Sequence, residues 1–532
     1  MSDSNTNALR TALRVMQAGA VATVLVAAPY KAFDLDRYFV PKELALLATA
    51  AIAGAIVLGA VRRVALTRVD TLLAAFLVLG VMSAAGAYNP WLAWRAVAVS
   101  GAGITLYWVA RAATQAGYSR GVLAGVGLAV VAAATTALAQ AYGVHSELLS
   151  INRAPGGTLG NRNFVAHLAA AGLPALVLSA VAARRPSRFL IGAVGVTIVV
   201  WALILTRSRA AWLAAGVAGL LAVFVVVRAP GRWGGIATGW RVAILLLCGA
   251  AGAVLAVTLP NTLHWKSRSP YLDSAVGVAD FREGSGRGRI VQYANSLRMA
   301  AAHPLFGVGP GNWPVVYPRV ASAHDPSLDD EGMTANPWPS SDWVAFVSER
   351  GLIATACLAL AMLGLVVTAF RALPRPGGGG EDGLAALASL ATIVAVVIVG
   401  AFDAVMLLPT PSAVFWPALG ALAPAAATRV VVPAPRPLRM LAATAVLVCG
   451  LVAVAHSVAQ LVAMDLYGDG TRVSAVEAAA RWDPGSYRIQ ERLAEIDLRR
   501  GHCTAARTRA ERARRLFPSA PAPRRVLGEC RQ

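Results

Sequence analysis

Long apolar runs, each broken by a short polar or basic stretch, recur along most of the chain. Runs of the roughly 17–25 residues that cross a bilayer fall at 12–30, 43–61, 70–88, 92–110, 121–141, 164–183, 189–206, 210–227, 242–259, 343–370, 384–402, 411–428 and 440–460. Backbone polar groups in hydrocarbon find no water and must bond within their own segment, so these Ala, Leu and Val runs predict helices. The expected fold is all-α and polytopic, with about 13 transmembrane helices (12 to 14) in residues 1–464, a large loop at 260–342, and a small helical-repeat tail at 465–532.

The arginines orient this arrangement, because Lys and Arg resist translocation. With the N-terminus inside, the inner connections carry Arg10 and Arg14, then Arg62, Arg63 and Arg68, then Arg111 and Arg120, then Arg184, Arg185 and Arg188. Arg228, Arg232 and Arg241, then Arg371 and Arg375, then Arg429, Arg436 and Arg439 continue the series. Every second loop is basic, and those between are poor in cations or balanced by acids. The 532 residues are 57% hydrophobic and 14% charged, with a mean hydropathy of +0.60, a balance suited to a lipid environment. The formal charge of +21 lies mostly on the inner loops and the tail, with no basic stripe interleaved with aromatics, so a nucleic-acid partner is not expected. The opening run reads as a signal anchor without a convincing cleavage site.

Two segments fall outside the membrane, and the alternation puts both on the far side. The loop holds His264, His303, His324 and the acids Asp325, Asp329, Asp330 and Glu331. In the tail, Pro484 and Pro518 stand 34 residues apart, the period of a tetratricopeptide unit, with Gly501 as a turn between them. Such a unit serves as a docking surface for a protein partner or as a structural cap. Cys248, Cys357 and Cys449 sit in apolar runs, whereas Cys503 and Cys530 lie in the exported tail and are able to pair.

Four motifs are candidates for chemistry. Gly157-Thr-Leu-Gly-Asn-Arg-Asn-Phe164 reads as a turn at a helix start, with Asn161 and Asn163 amides that could also hold a sugar. Thr206-Arg207-Ser208-Arg209 interrupts apolar sequence, and an arginine there either faces a cavity or anionic partner or snorkels to the interface. Arg289 opens an amphipathic stretch that ends in His303-Pro-Leu-Phe-Gly-Val-Gly-Pro-Gly-Asn312. Asn336-Pro-Trp-Pro-Ser-Ser-Asp342-Trp leads into Glu349-Arg-Gly-Leu352; Asp342 and Glu349, seven residues apart, share a helix face.

In this order and spacing the four elements resemble the O-antigen ligase and polymerase family of bacterial envelope glycosyltransferases, over about residues 40–425. The resemblance implies a GT-C-like membrane enzyme that moves a glycan from a polyprenyl diphosphate to a hydroxyl of the lipid A core or of a growing glycan. The transfer would occur at the periplasmic face of the inner membrane, with neither cofactor nor obligatory metal. The family's arginines match Arg209 and Arg289, implying diphosphate binding assisted by Arg207, a role that suits the bidentate guanidinium fork. Nine residues before its Glu-x-Gly glutamate the family carries a histidine, where this chain has Ser340, followed by Ser341 and Asp342. Serine is no general base near neutral pH, which leaves Asp342 or His324 for that role, or catalysis by leaving group and positioning alone. A non-catalytic assembly protein and a polysaccharide transporter are the alternatives.

Overall fold

The computed structural model describes residues 3–149, 154–228, 236–265, 267, 269–276, 284–322, 324–329, 331–373, 380–422 and 430–530. Arg232, Asp330, Arg375 and Arg429 of the sequence reading lie outside these residues. The first nine helices are α1 (Asp3–Leu25), α2 (Asp36–Ala60), α3 (Arg68–Ala85), α4 (Pro90–Gln115), α5 (Ser119–Ala141), α6 (Arg162–Val181), α7 (Pro186–Thr206), α8 (Arg209–Val227) and α9 (Ile236–Thr258). The large loop holds α10 (Pro270–Val276), α11 (Gly284–Ala302) and α12 (Trp313–Val316), and is followed by α13 (Asp342–Ala372), α14 (Gly380–Phe402), α15 (Pro409–Gly420) and α16 (Arg436–Tyr467). The tail forms α17 (Val473–Trp482), α18 (Tyr487–Arg499), α19 (Cys503–Leu516) and α20 (Pro521–Glu529).

Each of the thirteen apolar runs contains a helix, but among the described residues eleven are long and apolar enough to cross a bilayer. The chain is an all-α, multi-pass membrane protein. The run at 411–428 is the clear departure: α15 has 12 residues, all buried. At 1.5 Å per residue it is too short for a hydrocarbon core of about 30 Å. The other run outside the eleven is α1, whose first half carries Asp3, Arg10 and Arg14.

The two sets of loops gather on opposite faces. On the basic face, β1 (Arg63–Leu66) pairs antiparallel with β2 (Val430–Pro433), and Asp70 accepts from Arg111 and from the Trp108 indole. Arg439 donates to the Gly59 and Ala60 carbonyls, and Arg241 to those of Val181 and Ala183. On the other face the loop meets the α3–α4 connection, where the Asn89 backbone N–H donates to Asn312 Oδ1 at 2.6 Å. Asn89 also caps α4 from its side chain, with Pro90 at the first helical position.

Glycine permits close helix contact within the bundle. A Cβ at Gly103 would enter the Trp416 ring, one at Gly19 would strike Thr49, and one at Gly450 would strike Ala51. Small residues at such crossings let backbones approach where no hydrophobic effect drives association.

The tail packs on the loop face. Val476, Ala479, Ile489 and Leu493 share a core with Phe33, Val40 and Tyr467, and Phe517 packs against the cluster of Trp313 and Tyr317. Arg488 donates to the Ala32 carbonyl and lies over the Phe33 ring. Cys503 and Cys530 are joined as a disulfide.

Candidate active site

The helix α11 presents Arg289, Gln292 and Tyr293 toward the segment that enters α13. Gln292 Oε1 accepts from the Ser340 backbone N–H at 2.6 Å, and the Tyr293 hydroxyl donates to the carbonyls of Ser340 at 2.5 Å and Ala401 at 2.8 Å. Burial pushes that hydroxyl up to about 12, so it stays a donor at neutral pH. Ser340 is thereby fixed one helical turn from Arg289. The Arg289 guanidinium is half-buried, and its Nε has no hydrogen-bond partner among the described residues.

The side chains within electrostatic range of Arg289 include His167 of α6 and Tyr293, and Asp403, just past α14, acts on the same two. His167 Nε2 lies 3.7 Å from Asp403 Oδ2, His167 is 1% exposed, and its Nδ1 has no partner among the described residues. A guanidinium from α11, a carboxylate from the α14–α15 turn and a buried imidazole from α6 thus lie within electrostatic range of one another. The sequence reading gave Asp403 no place in the site and did not name His167. The signal in the sequence was that His167 lies six residues beyond Asn161, in the same turn-and-helix element.

That element is a built turn. Gly157 and Gly160 have φ of 52° and 79°, and a Cβ at Gly160 would enter the Tyr38 ring. The Gly157 N–H donates to Gln140, and the Thr158 hydroxyl to the Val24 carbonyl. Asn161 is buried and caps α6, its Oδ1 accepting from the Asn163 N–H at 3.0 Å. The two asparagines hold the start of α6, the helix that carries Arg162, Phe164 and His167.

The second motif is a tight corner between α7 and α8. Arg207, with φ of 56°, is the one non-glycine residue at positive φ among the described residues, a conformation costing roughly 1–2 kcal/mol. The Ser208 N–H donates to Thr206 Oγ1, and Arg207 Nε donates to Ser274 Oγ at 2.9 Å. The Trp265 ring lies beneath both Arg207, at 4.7 Å, and Arg162, at 5.1 Å. Arg209 opens α8, exposed and within electrostatic range of Arg207. Asp273 acts on Arg207 more strongly than Arg209 does, so the corner already has an acid beside it.

The remaining candidates have other surroundings. Asp342 is fully buried, and both its carboxylate oxygens accept from the Val405 and Met406 backbone N–H groups at 2.9–3.1 Å. It fixes the turn between α14 and α15 that presents Asp403, and its geometry is that of a positioning group rather than the base considered from sequence. His324 is exposed on the loop surface; its neighbour Asp325 is buried against Asn295 and Tyr317.

Glu349, 2% exposed, accepts from the Gly311 and Trp313 N–H groups at 2.9 and 3.1 Å. Here α13 breaks at Gly351 (φ 80°, ψ 174°), and the 303–312 loop inserts. Val308 and Gly309 donate to the Ser348 and Glu349 carbonyls, and Leu352 donates to Pro304. The third and fourth motifs are therefore one interlocked unit. Among the described residues, no group of three or more His, Cys, Asp or Glu is arranged to hold a metal ion.

Residues 193–359 match the family described as O-antigen ligase. No curated protein matches the chain. The matched span includes Arg207, Arg209, Arg289, Ser340, Asp342 and Glu349, while Asn161, His167 and Asp403 lie outside it. Across residues 193–359, from within α7 to within α13, this multi-pass membrane protein carries a domain of the O-antigen ligase family.

Proposed function

We propose that the protein transfers a glycan from a polyprenyl diphosphate to an acceptor hydroxyl, on the periplasmic face of the bacterial inner membrane, during surface polysaccharide synthesis. The observation that carries this is that Asp403 and Arg289 both act on the buried His167, in a chain whose α7–α8 corner carries the further arginines Arg207 and Arg209. The donor diphosphate binds Arg289 and Arg209, with Arg207 assisting from its seat on Trp265. Its hydrocarbon chain lies in the bilayer along α8, whose exposed Leu213, Val217, Leu220 and Phe224 form a continuous apolar strip.

The acceptor oxygen attacks the anomeric carbon, the bond from that carbon to the diphosphate oxygen breaks, and polyprenyl diphosphate leaves with the electron pair. The guanidinium groups stabilise the charge that develops on it, and the hydroxyl proton passes to His167, paired with Asp403. The alternation of basic loops supports a cytoplasmic N-terminus and a periplasmic site and tail. The prolines preceding α18 and α20, with the α18–α19 pair between them, support a tetratricopeptide-like unit in that tail.

Arg209→Ala and Arg289→Ala, each as the only copy in the cell, are expected to abolish transfer with the protein still inserted. Normal surface polysaccharide in the double variant would sink the proposal. The wild-type deletion separates the two acceptors: single repeat units accumulating on the carrier lipid indicate a polymerase, and full-length polymer not joined to core indicates a ligase.

A further inference from the structure

A cavity of about 550 Å³ lies under the tail, walled by α2, α4 and the large loop. Its size falls in the range of about 300–1,000 Å³ typical of small-molecule sites. It is distinct from the arginine cluster: neither Arg209 nor Arg289 lines it.

Its chemistry is that of a saccharide site. Trp91, Trp338 and Tyr487 give it ring faces for the C–H surfaces of a sugar. Its polar lining consists mostly of acceptors. Six carboxylates and two guanidinium groups line it; Glu43 and Asp36 are paired with Arg95 at 2.6 and 3.1 Å and Glu349 is taken by backbone N–H groups, which leaves Asp34, Asp329 and Asp483 with Arg488. Gln460, 9% exposed and on the same wall, has an amide oxygen without a partner among the described residues. That oxygen is itself covered, so what the wall offers a ligand is chiefly its carboxylates, to which the hydroxyl or amino groups of a sugar donate. The excess of negative charge repels phosphate, so the donor diphosphate belongs with the arginines and this cavity belongs to the other substrate.

A row of rings joins the two places. The Trp338 and Phe39 centroids are 5.2 Å apart, Phe39 and Phe164 are 5.7 Å apart, and Phe164 and His167 are 6.4 Å apart. Phe164 and His167 are buried and do not line the cavity, so the row marks the side of the cavity nearest the candidate base.

We propose that the tail-roofed cavity is the acceptor subsite, and that it takes the sugar residues of an uncharged or amine-bearing glycan while turning away phosphorylated ones. This rests on the transferase reading above. It makes the tail a structural part of the substrate site, and it favours a growing glycan over a phosphorylated core as acceptor.

The test uses the full-length protein as the only copy in cells, and the same protein purified into nanodiscs. Gln460→Leu removes an amide from the wall and Trp338→Ala removes a ring; each is expected to lower glycan transfer at least tenfold. Binding of undecaprenyl diphosphate, read by native mass spectrometry, is expected to stay within twofold of wild type. Met333→Trp fills the cavity from the surface loop and is expected to act in the same way, which keeps the test open if Gln460→Leu disturbs α16. Transfer in membranes is expected to be inhibited by chitosan trisaccharide at concentrations where its phosphorylated counterpart has no effect.

Unchanged transfer in all three variants, or stronger inhibition by the phosphorylated sugar, overturns the proposal. Lost undecaprenyl diphosphate binding in these variants would assign the cavity to the donor and overturn it too. Arg289→Ala separates the two readings, because its failure to reduce donor binding counts against the arginine site and leaves the cavity result standing.

Discussion

Removing the Asp342 carboxylate separates a structural role from a catalytic one. In Asp342→Ala the backbone N–H groups of Val405 and Met406, both on buried residues, lose their acceptor. Each buried donor left open costs about 1–3 kcal/mol, so the turn between α14 and α15 loses about 2–6 kcal/mol. Asn is expected to be little better, since its amide turns one acceptor into a donor facing those same N–H groups. A loss of this size is a large share of the roughly 5–15 kcal/mol that holds a typical fold. The assay is thermal unfolding of the purified protein, followed by tryptophan emission, alongside transfer in membranes. Both variants are expected to unfold several degrees earlier, and transfer is expected to fall because Asp403 is no longer held beside His167. Full thermal stability with transfer abolished would refute this and return the base to Asp342.

His167→Gln is expected to lower transfer by about 10²–10⁴-fold, the range for losing a general base, with undecaprenyl diphosphate binding retained; wild-type rates would show that the proton goes elsewhere. Gly351→Ala is expected to prevent stable insertion, because its φ of 80° and ψ of 174° suit glycine alone and a Cβ would collide with the Leu305 carbonyl; strain of about 1–3 kcal/mol adds to the hydrogen bonds lost with the 303–312 loop, and protein yield after membrane extraction reports it. Asp483, half-buried between tail and bundle, is pushed up to about 6, first by burial and then by the nearby Asp36 carboxylate. A raised carboxyl binds its proton more tightly in the docked state, so docking is strongest below about pH 4 and weakens as pH rises through 6. Protease cutting of the tail is expected to be faster at pH 7.5 than at pH 5.5, and Asp483→Asn is expected to flatten that difference.

The thirteen apolar runs were legible in the chain because they depend on a local quantity, run length. Each run holds a helix, and the connections with the arginines gather apart from those without. Arg207 and Arg209 drew attention because they interrupt apolar sequence, whereas Arg289 was singled out through the family resemblance. The 411–428 run misled because apolar character alone does not distinguish a span from the short, wholly buried α15.

Packing decided the rest. His167 and Asp403 are separated by more than two hundred residues, and only the meeting of α6, α14 and α11 brings them to Arg289. Asp342 looked free at a helix start, yet the α14–α15 turn folds its N–H groups onto both oxygens. The tail read as a separate repeat and closes a cavity against residues near the N-terminus. Composition and helix placement were thus determined by the sequence through short-range solvation and backbone hydrogen bonding. The polar site and the acceptor cavity were decided by tertiary contact, because a side chain's chemistry depends on neighbours that sequence distance does not reveal.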